Sequence, residues 1–157
     1  VKVLGVDPGG TTGVCLLEVA DGAPAEIVFR DEVAGGIDGF CSWWAIFADH
    51  VVCESFYEDD RTEKPDLVAL EIIGALKAYQ YETGRIAGWN LSFQLNSQRG
   101  KGKLLTDAVL KRSGYYPPRG QVRGGHSTDA TRHALVYVTK KLRHRPTIEK
   151  IWPKEDR

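Results

Sequence analysis

The sequence contains no methionine, only three cysteines and no net charge, and each shortage excludes something. Cys15, Cys41 and Cys53 are odd in number, lie in apolar contexts and have no CxxC spacing. That excludes a disulfide framework and a thiolate zinc site, and predicts buried free thiols in a reducing compartment, hence a cytoplasmic location. No apolar run approaches the ~18 residues needed to span a bilayer, and no signal peptide pattern is present, so no membrane partner is expected. The chain opens at Val1 without a methionine anywhere, so the initiator is expected to be absent. Neither repeats nor a flexible linker interrupt the 157 residues. That length suits one domain, 1–157, with 143–157 read as a basic C-terminal tail.

What is present is charge segregation. Residues 1–84 hold five Lys/Arg against sixteen Asp/Glu, and residues 85–157 hold sixteen against five, so the halves carry −11 and +11. Two readings follow: one half packs on the other, or an acidic metal-binding half lies beside a basic half that holds a polyanion.

Patterning along the chain gives the order βββαβαβαα. Residues 1–6, 14–20 and 25–33 read as three strands joined by short turns, an antiparallel meander. A helix follows near 37–49, with Phe40, Trp43, Trp44 and Phe47 at helical spacing as core. His50–Ser55 is a strand whose unbroken apolar stretch suits the parallel part of a sheet covered on both faces. A helix over 65–82, a fifth strand near 89–95, a helix ending at Gly114 and a last helix over 127–142 complete an α/β pattern.

Four chemistry-bearing residues sit at the ends of these elements. Asp7 closes the run VKVLGVD before Pro8-Gly9-Gly10, and Glu54 closes HVVCES. His126 and Asp129 stand at i and i+3 where the last helix begins, with His133 at i+7 on the same face. An Asp-Pro-Gly turn or a helix cap by Ser127 or Thr128 would explain single members of the set. A carboxylate directly after Val-Val-Cys in a central strand needs a partner or a metal. Three acids and an imidazole converging from two strand ends and one helix start predict a divalent-metal phosphodiesterase.

The segment GVDPGGTTGVCLL resembles the opening strand of RuvC-type Holliday junction resolvases. VVCESF resembles their second acidic strand, and HSTDA their terminal (D/H)xxDA helix motif. The order and spacing agree along nearly the whole chain. The resemblance implies an RNase H-like fold, a five-stranded mixed sheet flanked by helices on both faces. It also implies a homodimeric, structure-specific endodeoxyribonuclease acting on four-way junctions, with Asp7, Glu54, His126 and Asp129 as catalytic and metal-binding tetrad. Two Mg²⁺ or Mn²⁺ ions per site are implied as cofactors. His126 stands where many members have Asp, and a nitrogen ligand favours Mn²⁺ more than an all-carboxylate site does. His133 lies outside the family motif and reads as a supporting or structural residue. The length is nearer that of phage-encoded members, which would act in the host cytoplasm.

The stretch NLSFQLNSQRGKGKL resembles the family's fifth strand and DNA-contacting segment. Arg99, Lys101, Lys103, Arg119 and Arg123 are therefore candidate phosphate contacts. Phe56 and Tyr57, after Glu54, are candidates for the aromatic that inserts at the junction. The helix over 65–82 carries only Glu71, Lys77 and Glu82 as strong charges after Leu67, so one face packs on the sheet and the other suits a two-fold contact. A nuclease of the same fold acting on forks or flaps remains an alternative. So does an actin-like or sugar-kinase ATP-binding domain, because DPGGTTG resembles a phosphate loop.

Overall fold

The computed structural model describes residues 1–44, 48–56, 66–87, 90–95, 104–118 and 125–154. Strands β1 (Lys2–Asp7), β2 (Thr11–Glu18) and β3 (Glu26–Ala34) form the meander. Helix α1 (Gly36–Trp43) leads to β4 (His50–Ser55), α2 (Leu67–Ala87) and β5 (Asn90–Leu95). Helices α3 (Asp107–Arg112), α4 (His126–Lys140) and α5 (Arg145–Ile151) follow. The sheet order is β3-β2-β1-β4-β5, with β1 central, antiparallel to β2 and parallel to β4. β5 continues the parallel part beside β4.

Strand alternation explains the two cores. Leu4 and Val6 of β1, Val14 and Leu16 of β2, and Val51 and Cys53 of β4 face Phe40 of α1 and Ile72 and Leu76 of α2. The opposite parity, Val3, Cys15, Leu17 and Val52, faces Ala130, Ala134 and Leu135 of α4, with Leu110 and Ile151 of α3 and α5. Helices therefore cover both faces, as the sequence pattern predicts.

Two glycines bring α4 unusually close to the sheet. A Cβ on Gly5 would overlap the carbonyl oxygen of Ala130 and stand 3.1 Å from the Ala134 methyl. A Cβ on Gly13 would overlap the carbonyl of His126 and stand 2.7 Å from the Ser127 nitrogen. Helix backbone thus rests directly on strand backbone at both points.

Two expectations and one alternative are corrected. Residues 145–151, read as tail, form α5: Pro146 starts it, and Thr147 and Ile151 are buried beneath a basic outer face. The α4 cap is Gly125 at φ 85°, not Ser127 or Thr128; the Ser127 N–H instead donates to Glu32 Oε1 of β3 at 3.3 Å. Cys41 is exposed, whereas Cys15 and Cys53 are buried.

Burial pushes the Cys15 thiol from 9.0 up to about 11. It pushes Cys53 well above its ordinary range, with the negative charges of Asp7 and Glu54 adding to the effect. At pH 8, maleimide should therefore label the native protein at Cys41 alone, and all three cysteines in urea; peptide mass mapping reads the result. The sign for stability follows from linkage. Raised thiol pKa values mean that folding retains protons the unfolded chain releases, so stability is full below about pH 9 and falls as pH rises towards 11.

Candidate metal centre

The sheet register lines up one row of residues on the α4 face. Gly13 pairs with Asp7 across β2 and β1, and Glu54 pairs with Gln94 across β4 and β5. Because Val6 pairs with Cys53, Asp7 and Glu54 occupy the next step on neighbouring parallel strands. Both carboxylates are nearly buried, at 6% and 8% exposure. The loop after Asp7 is closed by Thr12, whose hydroxyl donates to the Gly9 carbonyl at 3.1 Å.

Helix α4 crosses this row from its first residue. His126 Nδ1 lies 3.0 Å from Asp7 Oδ2, joining residues 119 apart in sequence. Asp129, one turn on, pairs with Arg132. Arg132 also pairs with Asp107 and donates from Nε to the Leu105 carbonyl at 2.9 Å, fastening α3 to α4. Two turns from His126, the fully buried His133 places Nε2 3.6 Å from Glu54 Oε2.

Among the described residues, the group whose ligand atoms all fall within 4.8 Å of one another is Asp7, Glu54 and His133. Of the expected tetrad, then, the fold brings Asp7 and Glu54 together and sets His126 against Asp7. It turns Asp129 to Arg132. His133, read as supporting or structural, sits inside the cluster. Gln94 was not singled out at all, and its Oε1 lies 3.1 Å from His133 Nδ1. The helix spacing of His133 was visible in sequence; the strand register that delivers Gln94 was not.

This donor set fits a divalent cation. Two nearly buried carboxylates lie side by side, and among the described residues the buried His133 Nε2 has no hydrogen-bond partner. Buried polar atoms are otherwise almost always satisfied, so an orphan aimed at two acids marks a place for positive charge.

Of the candidate DNA contacts, Phe56 is half-buried against the α1/α2 core. Tyr57, Arg99, Lys101, Lys103, Arg119 and Arg123 lie outside the described residues. No helix among the described residues is long and apolar enough to cross a membrane.

No protein-family model and no curated protein matches the chain. Solved structures do. RuvC from T. thermophilus, in complex with a Holliday junction substrate, matches with a TM-score of 0.64 at 16% identity, covering 93% of this chain and 98% of that one. The fowlpox virus resolvase, in complex with substrate Holliday junction DNA, matches at 0.51 and 13% identity, covering 73% and 78%. The yeast mitochondrial Holliday junction resolvase matches at 0.50 and 12% identity, covering 93% and 83%. At these identities the likeness speaks for architecture, and it agrees with the strand order and helix placement described above: the chain has the RNase H-like fold of RuvC.

Proposed function

We propose that this chain is a metal-dependent endodeoxyribonuclease that cleaves Holliday junctions, with Asp7, Glu54, His126 and Asp129 as its catalytic set. The observation that carries the reading is the pair of buried carboxylates on adjacent parallel strands, met by α4, in a fold shared with junction-bound resolvases.

Asp7 and Glu54 would hold Mg²⁺ or Mn²⁺, two ions per site, and His126 and Asp129 would complete the ligand set from α4. Such ions lower the pKa of an attacking water and stabilise the leaving 3′ oxygen. The chain's own part is positioning. Burial keeps the carboxylates from bulk water and strengthens their field on anything bound between them. His126 fixes the Asp7 carboxylate at 3.0 Å. Arg132 restrains the Asp129 rotamer, and movement of Asp129 away from it would admit that carboxylate to the site.

The basic half supports DNA binding. Arg99, Lys101, Lys103, Arg119 and Arg123 would neutralise phosphates, with Phe56 or Tyr57 near the branch point. Binding of that kind weakens steeply with salt. The outer face of α2 supports a homodimer. Leu67, Gly74, Ala78 and Tyr81 recur along it, with the charged Glu71 between the first two, and all five are exposed, Leu67 at 60% and Tyr81 at 72%. The small Gly74 and Ala78 at the middle of this face allow close approach of a second α2, where Glu71 would lie at the margin of the contact. Two sites facing one junction would give paired, symmetric cuts.

The test is cleavage of labelled four-way junction, fork, flap and linear duplex with Mg²⁺ or Mn²⁺. Paired nicks in the junction and little cutting of duplex are expected. Equal cutting of all four substrates, or none with either metal, overturns the assignment; preference for forks or flaps moves it to another branched-DNA nuclease.

A further inference from the structure

We propose that His133 is a nitrogen ligand to the cation held by Asp7 and Glu54, and that Gln94 fixes its tautomer for that role. The inference rests on reading those two carboxylates as metal ligands, and adds a residue and a preference among metals.

His133 is wholly buried in the middle of α4. Gln94 grips it twice. The Gln94 amide Nε2 donates to the His133 main-chain carbonyl at 3.1 Å, and Gln94 Oε1 faces His133 Nδ1 at 3.1 Å. A carbonyl oxygen can only accept, so the amide cannot be flipped without setting two oxygens against each other. Its Oε1 therefore needs a proton from Nδ1. In a neutral imidazole with hydrogen on Nδ1, the Nε2 atom carries a lone pair.

Among the described residues that lone pair has no hydrogen-bond donor to meet it. Its neighbour in the cluster is an acid, Glu54 Oε2 at 3.6 Å, too far for a hydrogen bond. Three electron-rich atoms, one each from Asp7, Glu54 and His133, fall within 4.8 Å of one another. Their crowding favours a cation placed among them. A ring nitrogen aimed at a cation, with the other ring N–H held by a side-chain oxygen, is the arrangement by which proteins orient metal-binding histidines.

The register makes the arrangement specific. Gln94 is the β5 partner of Glu54, so the ligand and the residue that orients its neighbour sit side by side on the sheet. Mg²⁺ favours hard oxygen donors, whereas Mn²⁺ and later first-row ions accept imidazole readily. A site containing His133 should prefer Mn²⁺ to Mg²⁺ even where His126 has been replaced.

The test uses the full chain with ¹⁵N-labelled histidine at pH 8. Long-range proton–nitrogen correlation identifies the tautomer of His133, assigned by exclusion through single replacements of His50, His126 and His144. Hydrogen on Nδ1 is expected, with the Nε2 resonance moving on addition of Zn²⁺ as a diamagnetic probe. Calorimetry should show Gln94→Leu weakening Mn²⁺ binding about 10–100-fold, the range for losing a residue that orients a ligand. Because Gln94 itself touches no metal in this scheme, circular dichroism of that variant separates lost orientation from lost folding. Hydrogen on Nε2, or an unmoved Nε2 resonance while metal binding still depends on Asp7, overturns the inference and leaves the carboxylate site standing. A moving Nε2 resonance in a protein that cuts no DNA upholds it and overturns the nuclease assignment. Absence of any metal binding to the wild-type chain overturns both.

Discussion

Asp7→Asn and Glu54→Gln should each lower junction cleavage by about 10³-fold, the scale on which enzymes lose rate when a group stabilising developing charge is removed. Junction affinity should stay within a few-fold of wild type, because the basic half of the chain, not these buried acids, would hold the phosphates. The two measurements are single-turnover cleavage and binding in Ca²⁺ or without metal. Loss of binding in parallel with cleavage would remove both residues from the chemistry. A second signature should accompany the first. The two buried carboxylates each bring an oxygen within 4.8 Å of the other. Removing one negative charge should relieve that crowding in metal-free protein and raise its stability by about 1 kcal/mol, or about 2–4 °C in Tm. Metal should then stabilise wild type more than either variant.

Alanine at Gly13 tests positioning without touching a ligand. Its methyl group would overlap the first peptide unit of α4, so the helix start must lift from β2. His126 would then leave Asp7. A displacement near 1 Å at reacting groups can cost about 10²-fold in rate, and that loss is expected here with the fold retained. Gly5→Ala strikes the same helix one turn later, against the Ala130 carbonyl and the Ala134 methyl. There the core itself must open, and urea unfolding should show a loss of about 3 kcal/mol, the upper end for overpacking. Gly10→Ala is the control, since none of the described residues lies within 4 Å of its added methyl. Equal behaviour of all three variants would show that α4 tolerates displacement.

The legible parts of this fold were those set by local pattern. The meander, the buried strand ending in Glu54 and the α/β order follow from alternation and turn residues, and the structure has them. The features that were not legible depend on neighbours remote in sequence. A Ser or Thr cap at the α4 start, the alternative that local sequence offers, does not form, and Glu32 receives the Ser127 N–H from 95 residues away. The last helix is hidden by its charge: Arg143, Arg145 and Lys150 suggest a tail, and only the buried Thr147 and Ile151 reveal a packed face. Nothing local marks Gly5 and Gly13 as contact points, because their significance comes from the helix above them. Within the centre, Asp7 and Glu54 were legible because a carboxylate at the end of an apolar strand demands an explanation. His133 was visible as a helix-face residue. Its place among the acids required the β4–β5 register and Gln94.

The long reach of the Asp7–His126 contact bears on the chain while it is being made. Strands β1 to β3 and helix α1 can assemble from local pieces as synthesis proceeds, but His126, which opens α4, follows Asp7 only 119 residues later. Domains tend to fold as units once their sequence has emerged. A chain interrupted before α4 would therefore carry Asp7 and Glu54 with neither histidine above them, and the strand backbone at Gly5 and Gly13 would lie bare. Such a fragment should leave DNA uncut, so the proposed cutting centre would come into being only in a chain completed through α4.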